Sequence, residues 1–327
     1  MKVLITRKIP RAGITLLEEA GLELDYRKGP PLSEDELKDA IKDVDAIIPV
    51  MPDQITREVL EAAGPNLKLV AHYAVGYDNI DIKSAADMGI YVSNTPGDLT
   101  EAVGEHSLAL LLASSRHIAA ADRFTRSGNY KYWDPMIFLG SQYREATVGI
   151  IGLGRIGQCM AKFCKNGFNM NILYFDAQRN EEAEKETGAV FSPLEELLPE
   201  SDFVSIHVPL LPTTRHLIGM RELKQMKPTA FLVNTSRGPV IDEAALIIAL
   251  KENWIAGAAL DVYEEEPNIR QDLKDLDNVT LTPHIASATR ESRIGMARIA
   301  AENIIEVLVN KNPPINLVNK DIKRPRN

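Results

Sequence analysis

Along the first hundred positions, apolar residues fall in short runs separated by stretches with helical spacing: KVLIT, AGITLLEEA, LELDYR, SEDELKDAIKD, AIIPV, ITREVLEAAG, LKLVAHYAVG, KSAADMG and IYVSNT. Repeated alternation of this kind marks βα units and predicts a parallel sheet covered by helices. Ser33 stands three residues before Glu36, the spacing of a capping box, so a helix is expected to start there. From Thr100 to about Arg126 the rhythm gives way to TEAVGEHSLALLLASSRHIAAADRFTR, apolar on much of its circumference, which predicts one long buried helix linking two domains. Beyond a loop holding Trp133, Pro135 and Gly140, a second βα series runs through TVGIIG, NILYFD, FVSIHVP, AFLVNTS, IAGAALDV and VTLTPH. The chain closes on a helical segment, ESRIGMARIAAENIIEVLVNK, and a polar tail.

At 327 residues, 45% of them apolar, there is enough material for two packed cores. A formal charge of −9 argues against nucleic acid or an anionic membrane surface as a partner, since either needs a basic face. No run approaches the roughly 20 apolar residues of a membrane span. The N-terminal MKVLITRKIPRAG lacks the layout of a signal peptide, so a cytoplasmic location is expected. Cys159 and Cys164 lie five apart on one predicted helix and read as packing residues, not as a disulfide. The histidines lack the spacing of a metal site, and no metal is expected.

The strongest local signal is Gly152-Leu153-Gly154-Arg155-Ile156-Gly157, set between the apolar run TVGII and a helical stretch. In that context Gly152 permits a tight turn, Gly154 lets backbone approach a pyrophosphate and Gly157 allows close helix packing, with the helix N-terminus facing the negative charge. Asp176 closes the next strand 19 positions after Gly157, near the spacing of an acid that binds ribose hydroxyls. A carboxylate there favours NAD(H) over NADP(H); Arg179, three residues on, would soften that choice if it turned inward.

Together with AVGYDNID at 74–81, HVPL at 207–210, NTSRGPVIDE at 234–243, LDVYEEEP at 260–267 and TPHIASAT at 282–289, this segment makes the chain similar to the D-isomer-specific 2-hydroxyacid dehydrogenases, and within them to glyoxylate and hydroxypyruvate reductases. The resemblance covers essentially the whole chain. It implies an α/β fold of two Rossmann- or flavodoxin-like domains with parallel sheets, joined by long helices around a cleft. The substrate domain would comprise 1–99 and 287–327, the NAD-binding domain 100–286. Arg237, Glu266 and His284 match the family's catalytic positions. Reduction of a 2-oxoacid needs a proton on the carbonyl oxygen and a cation for the carboxylate. His284 fits the first task with Glu266 as its partner, and Arg237 fits the second. Read without the family, His284 is equally a structural hydrogen-bonding residue, Glu264 to Glu266 a solvated acidic loop, and Arg237 a surface cation.

By the same resemblance, the backbone amides of Val75 and Gly76 receive the substrate carboxylate, while His207, Pro209, Asn234, Thr235 and Asp261 lie on the cofactor side. Asp261 reads alternatively as a loop cap. Ala286 departs from the glycine common at that place in the family. Trp133 belongs to a region that makes dimer contacts in relatives and reads alternatively as a core residue; a homodimer is the expected assembly. The expected partners are therefore a small 2-oxoacid or 2-hydroxyacid and a second copy of the chain. Phosphite oxidation and a dinucleotide-sensing, corepressor-like role share the same frame, and turnover of a small 2-oxoacid with NADH separates the last from an enzyme.

Overall fold

The computed structural model of the chain describes residues 1–97 and 99–326. It divides into two compact units, Met1–Leu99 with Ala288–Asn327, and Thr100–Ser287.

The first unit alternates strands and helices: β1 (Lys2–Ile5), α1 (Arg11–Glu19), β2 (Glu23–Tyr26), α2 (Glu34–Ala40), β3 (Ala46–Ile48), α3 (Arg57–Ala62), β4 (Leu69–Ala71), α4 (Ile82–Asp87) and β5 (Tyr91–Ser93). All pairings are parallel and the strand order is β2-β1-β3-β4-β5, the flavodoxin-like arrangement. Leu4, Ile47 and Val70 from the central strands, and Val92 from the edge strand β5, are fully buried, as expected where helices cover a parallel sheet. The starts of three helices follow from side chains that accept from an orphan backbone N–H: Ser33 in a complete capping box with Glu36, Thr56, and Asp81.

The second unit contains α5 (Thr100–Ser115), α6 (Ile118–Arg126), β6 (Thr147–Ile151), α7 (Arg155–Phe168), β7 (Asn171–Phe175), α8 (Glu181–Thr187), β8 (Val190–Phe191), α9 (Leu194–Glu200), β9 (Phe203–Ile206), α10 (Met220–Gln225), β10 (Phe231–Asn234), α11 (Glu243–Lys251), β11 (Gly257–Leu260), α12 (Gln271–Lys274) and β12 (Val279–Leu281). Its parallel sheet has the order β12-β11-β10-β9-β6-β7-β8, a doubly wound Rossmann sheet that changes direction between β6 and β9. The last helix, α13 (Arg290–Leu308), returns to the first unit and packs on α1, β3 and β4.

The expected single helix over Thr100–Arg126 is two. His117 takes a left-handed conformation at φ 53° and divides α5 from α6. The halves have different environments: α5 packs on α7 and on β10 to β12, with Leu110 and Leu111 buried, whereas α6 has no buried residue. Cys159 and Cys164 both lie on α7 as free thiols. Burial pushes the Cys164 thiol up to about 12, consistent with a packing role.

Candidate active site

Strand register assembles the site. Phe175, Ile151, Ile206, Asn234, Leu260 and Leu281 are partners in one continuous row across six strands of the second sheet. Each is the last residue of its strand, so the residue that follows each of them emerges at the same carboxyl edge. Those following residues are Asp176, Gly152, His207, Thr235, Asp261 and Thr282. Arg237 and His284 come three residues beyond the ends of β10 and β12, and Glu266 six beyond β11. Segments more than a hundred residues apart thus meet where open α/β sheets bind ligands.

The Gly152–Gly157 turn has the shape a dinucleotide requires. Gly152 has φ 97°, a conformation unfavourable to other residues, and a side chain on Gly157 would collide with the Gly152 carbonyl as α7 starts. Beside Gly154, the N-cap of α7, a side chain would enter open space, which leaves the backbone approachable. The first amides of α7, at Arg155 and Ile156, have no intrahelical acceptor and suit an anionic pyrophosphate. Asp176 Oδ2 accepts from Leu153 N at 2.9 Å, and its Oδ1 from Ala177 N at 2.7 Å, which holds the carboxylate beside the glycine turn. Arg179 does not compete with it: its guanidinium makes two hydrogen bonds to Glu184, at 2.8 and 2.9 Å, and holds that carboxyl down at about 2.

Other predicted cofactor-side residues organise the edge. Asn234 donates to the Arg237 carbonyl at 2.9 Å and accepts from Ser236 N at 3.0 Å, closing the NTSR turn on itself. Thr235 shares a hydrogen bond with Ser107 of α5 at 2.7 Å. His207 Nε2 lies 2.9 Å from Ser205 Oγ, and desolvation takes its imidazole down to about 4, so the ring is neutral at ordinary pH. Pro209 is exposed, and its carbonyl accepts from Thr214 Oγ1 at 2.6 Å.

Asp261 has the loop-capping role. It is fully buried and accepts from Thr282 Oγ1 at 2.6 Å, Ile285 N at 2.9 Å and Ala286 N at 2.8 Å, with His106 Nε2 of α5 3.5 Å away. Burial pushes its carboxyl up, but these hydrogen bonds outweigh burial and leave it below the usual aspartate value. Alanine at 286 fits because the loop uses that residue's N–H. The Asp261 carbonyl also accepts from His284 N at 2.9 Å, fixing His284 at φ 55°, an uncommon conformation for a side-chain-bearing residue.

That loop presents His284 to Glu266. His284 Nδ1 lies 2.8 Å from Glu266 Oε2, with the two side chains 30% and 34% exposed, so the pair is stabilised yet reachable. The other Glu266 oxygen accepts from Tyr263 N at 3.0 Å, and Tyr263 Oη donates to the Thr282 carbonyl at 2.8 Å, tying one loop to the other. Of the three adjacent glutamates, Glu264 faces away, with Oε1 2.5 Å from His216 Nε2. Its N–H reaches Glu243 at 3.2 Å, a carboxyl that burial pushes up. Arg237 is half-buried on extended backbone, its Nη1 donating to the Ser236 carbonyl at 2.7 Å. The next residue must be glycine, because a side chain on Gly238 would strike the Tyr263 carbonyl. None of His106, Thr282, Tyr263, Glu243 and Gly238 is signalled by local spacing, since each acts on a partner 19 or more residues away or on a neighbouring loop.

In the first unit, Val75 and Gly76 follow β4. The Ala74 carbonyl accepts from Thr95 N at 2.9 Å, and the Val75 carbonyl from Asn94 Nδ2 at 2.8 Å.

Residues 108–286 match the family model of the D-isomer specific 2-hydroxyacid dehydrogenase NAD-binding domain. Over 326 residues the chain is 52% identical to a glyoxylate reductase of Thermococcus litoralis, covering 98% of this chain and 97% of that one. It is 50% identical over 329 residues to a glyoxylate reductase of Pyrococcus furiosus, covering 99% and 97%. Among solved structures, a protein of Thermus thermophilus superposes with TM-score 0.91 at 39% identity, covering 97% and 100% of the two chains. The NADPH-dependent glyoxylate/hydroxypyruvate reductase of Sinorhizobium meliloti, in complex with NADP and malonate, gives 0.85 at 30%, covering 100% and 99%.

Proposed function

The chain belongs to the D-isomer-specific 2-hydroxyacid dehydrogenases, and on that premise we propose that it reduces a small 2-oxoacid, glyoxylate or hydroxypyruvate, to the corresponding 2-hydroxyacid, of D configuration where that product is chiral. The observation that carries this reading is the His284–Glu266 pair, held at 2.8 Å on the same sheet edge as the glycine turn and Arg237. The cofactor is a nicotinamide dinucleotide, which when bound supplies the hydride. His284 gives its Nε2 proton to the carbonyl oxygen as negative charge develops there, and takes it back in the reverse direction. Glu266 accepts from Nδ1, which keeps Nε2 as the working nitrogen and stabilises the imidazolium. Arg237 binds the carboxylate and polarises the carbonyl, and the amides of Val75 and Gly76 also receive the carboxylate.

NAD(H) is the preferred cofactor on this reading. The Sinorhizobium relative is NADPH-dependent, but here Asp176 ends β7 with its carboxylate beside the turn and Arg179 is paired with Glu184. An anion in that place repels a 2′-phosphate and accepts from ribose hydroxyls. The chain acts as a homodimer in the cytoplasm. Supporting assembly, Tyr132, Trp133, Met136 and Leu139 are 62–75% exposed in one short segment, and clustered exposed apolar side chains mark interaction sites. That exposure removes the core reading of Trp133.

The test is a panel of glyoxylate, hydroxypyruvate and pyruvate ranked by kcat/KM with NADH and with NADPH, followed by chiral analysis of the hydroxypyruvate product. Failure to turn over any 2-oxoacid with either cofactor refutes the proposal.

A further inference from the structure

We propose that Asn94 is a positioning residue: its side-chain amide sets the direction of the Val75–Gly76 peptide and so presents the Gly76 N–H to the substrate carboxylate. This rests on the reading that the Gly76 amide takes part in carboxylate binding. In a planar trans peptide the C=O and N–H point in opposite directions, so anchoring the oxygen fixes where the N–H aims. The Val75 oxygen is anchored by Asn94 Nδ2 at 2.8 Å, and the preceding carbonyl, of Ala74, by Thr95 N at 2.9 Å. Two consecutive carbonyls are thus latched to the end of β5. Neither Val75 N nor Gly76 N donates to an acceptor among the described residues, and both residues are only half-buried, so both donors are left to a ligand or to water. A carbonyl that accepts a hydrogen bond also polarises its own peptide, strengthening the N–H by about 10–30%.

Asn94 is itself held from behind. Its N–H donates to the Asn316 carbonyl at 3.4 Å, and Asn316 is clamped by fully buried Asn303 of α13 through bonds of 2.9 and 3.2 Å. The latch therefore runs from α13 to the Val75 carbonyl through three asparagines, with the last donor acting on a peptide instead of on another side chain.

The experiment compares the parent with Asn94→Ala, which removes the donor, and Asn94→Asp, which keeps the shape without a donor. Substrates are a 2-oxoacid and its neutral carboxamide, both with NADH. Loss of the anchor should lower kcat/KM for the acid about tenfold, the order of one charge-assisted hydrogen bond, mainly through KM. The carboxamide, whose neutral oxygen accepts more weakly than a carboxylate, should lose clearly less of its kcat/KM, and the NADH dissociation constant should stay unchanged. Equal losses on both substrates, or rescue by the isosteric Asn94→Asp, would mean that Asn94 only supports packing and would overturn the proposal. Pairwise labelling with Val carbonyl-13C and Gly-15N isolates Val75–Gly76, Val103–Gly104 and Val148–Gly149, the last two serving as internal controls. Oxamate binding to the NADH complex should shift the Gly76 amide in the parent and not in Asn94→Ala. No shift in the parent defeats the underlying carboxylate reading; an equal shift in parent and variant leaves that reading standing and defeats the role of Asn94.

Discussion

Replacing Glu266 by Gln tests the proton-transfer pair at its narrowest point, since shape is retained and charge is removed. The His284–Glu266 contact is 2.8 Å with each side chain about a third exposed. Opposite unit charges about 4 Å apart attract by ~4 kcal/mol at an effective dielectric of about 20. Solvent access lowers that toward the ~1.5–3 kcal/mol of a hydrogen bond to a charged group. A loss of ~2 kcal/mol corresponds to about a 30-fold fall in kcat for reduction. A second effect follows from donor counting. Glu266 accepts from two N–H groups, Tyr263 N at 3.0 Å and His284 Nδ1, whereas glutamine has one oxygen. The Tyr263 backbone N–H cannot change role, so the new NH2 faces His284 Nδ1 and makes it an acceptor. The proton of neutral His284 then sits on Nε2, the nitrogen that must be empty to act as base, and oxidation of the D-2-hydroxyacid should suffer at least as much as reduction. The assay is kcat in both directions with NADH affinity as control, beside His284→Ala, for which a loss of about 10²–10⁴-fold is expected. A fall of less than about fivefold in both directions would place the contact among ordinary surface ion pairs and refute the assignment.

Three further outcomes follow. Asp176→Ser should weaken NADH use by about 10–100-fold while improving NADPH use, and adding Glu184→Gln, which loosens the hold on Arg179, should improve NADPH further; a parent that already prefers NADPH in steady-state kinetics contradicts the Asp176 contact. Trp133→Glu should shift the mass seen by sedimentation velocity from dimer to monomer, and a parent that sediments as a monomer removes the assembly proposal. His207 takes up a proton at about 4 in the folded protein against 6.5 ordinarily. Its folded value is depressed, so stability is lost as pH falls from 6.5 toward about 4 and no further below, by at most ~3 kcal/mol; urea midpoints should show this slope, and His207→Asn should flatten it.

Much of this site is legible in the sequence because it depends on short-range order. TVGII followed by GLGRIG contains a strand, the turn glycines and a helix start, and each maps directly onto β6, the Gly152 turn and α7. The split of the helix at His117 is not legible, because the segment contains no proline, the apolar pattern continues through it, and one histidine at positive φ produces the break. The choice among Glu264, Glu265 and Glu266 is likewise hidden from local pattern. It is made by partners far along the chain, His216 for Glu264 and His284 for Glu266.

Asp261 shows why a buried charge at a ligand-binding edge need not act on the ligand. Burying a carboxylate is costly unless hydrogen bonds compensate, and here a hydroxyl and two loop amides do so, all from residues 282–286. The same bonds hold the loop that carries His284, whose own N–H is taken by the Asp261 carbonyl. Glu266 is fixed from the same stretch, through Tyr263 N, and Tyr263 Oη closes the circuit on Thr282. LDVYEEEP and TPHIASAT are therefore one structural unit joined across the neighbouring strands β11 and β12. His284 and Glu266 are held at 2.8 Å by bonds within these two loops. On the proposed mechanism, these bonds let a histidine about a third exposed keep a fixed proton-transfer geometry, which assigns Asp261 the task of placing His284.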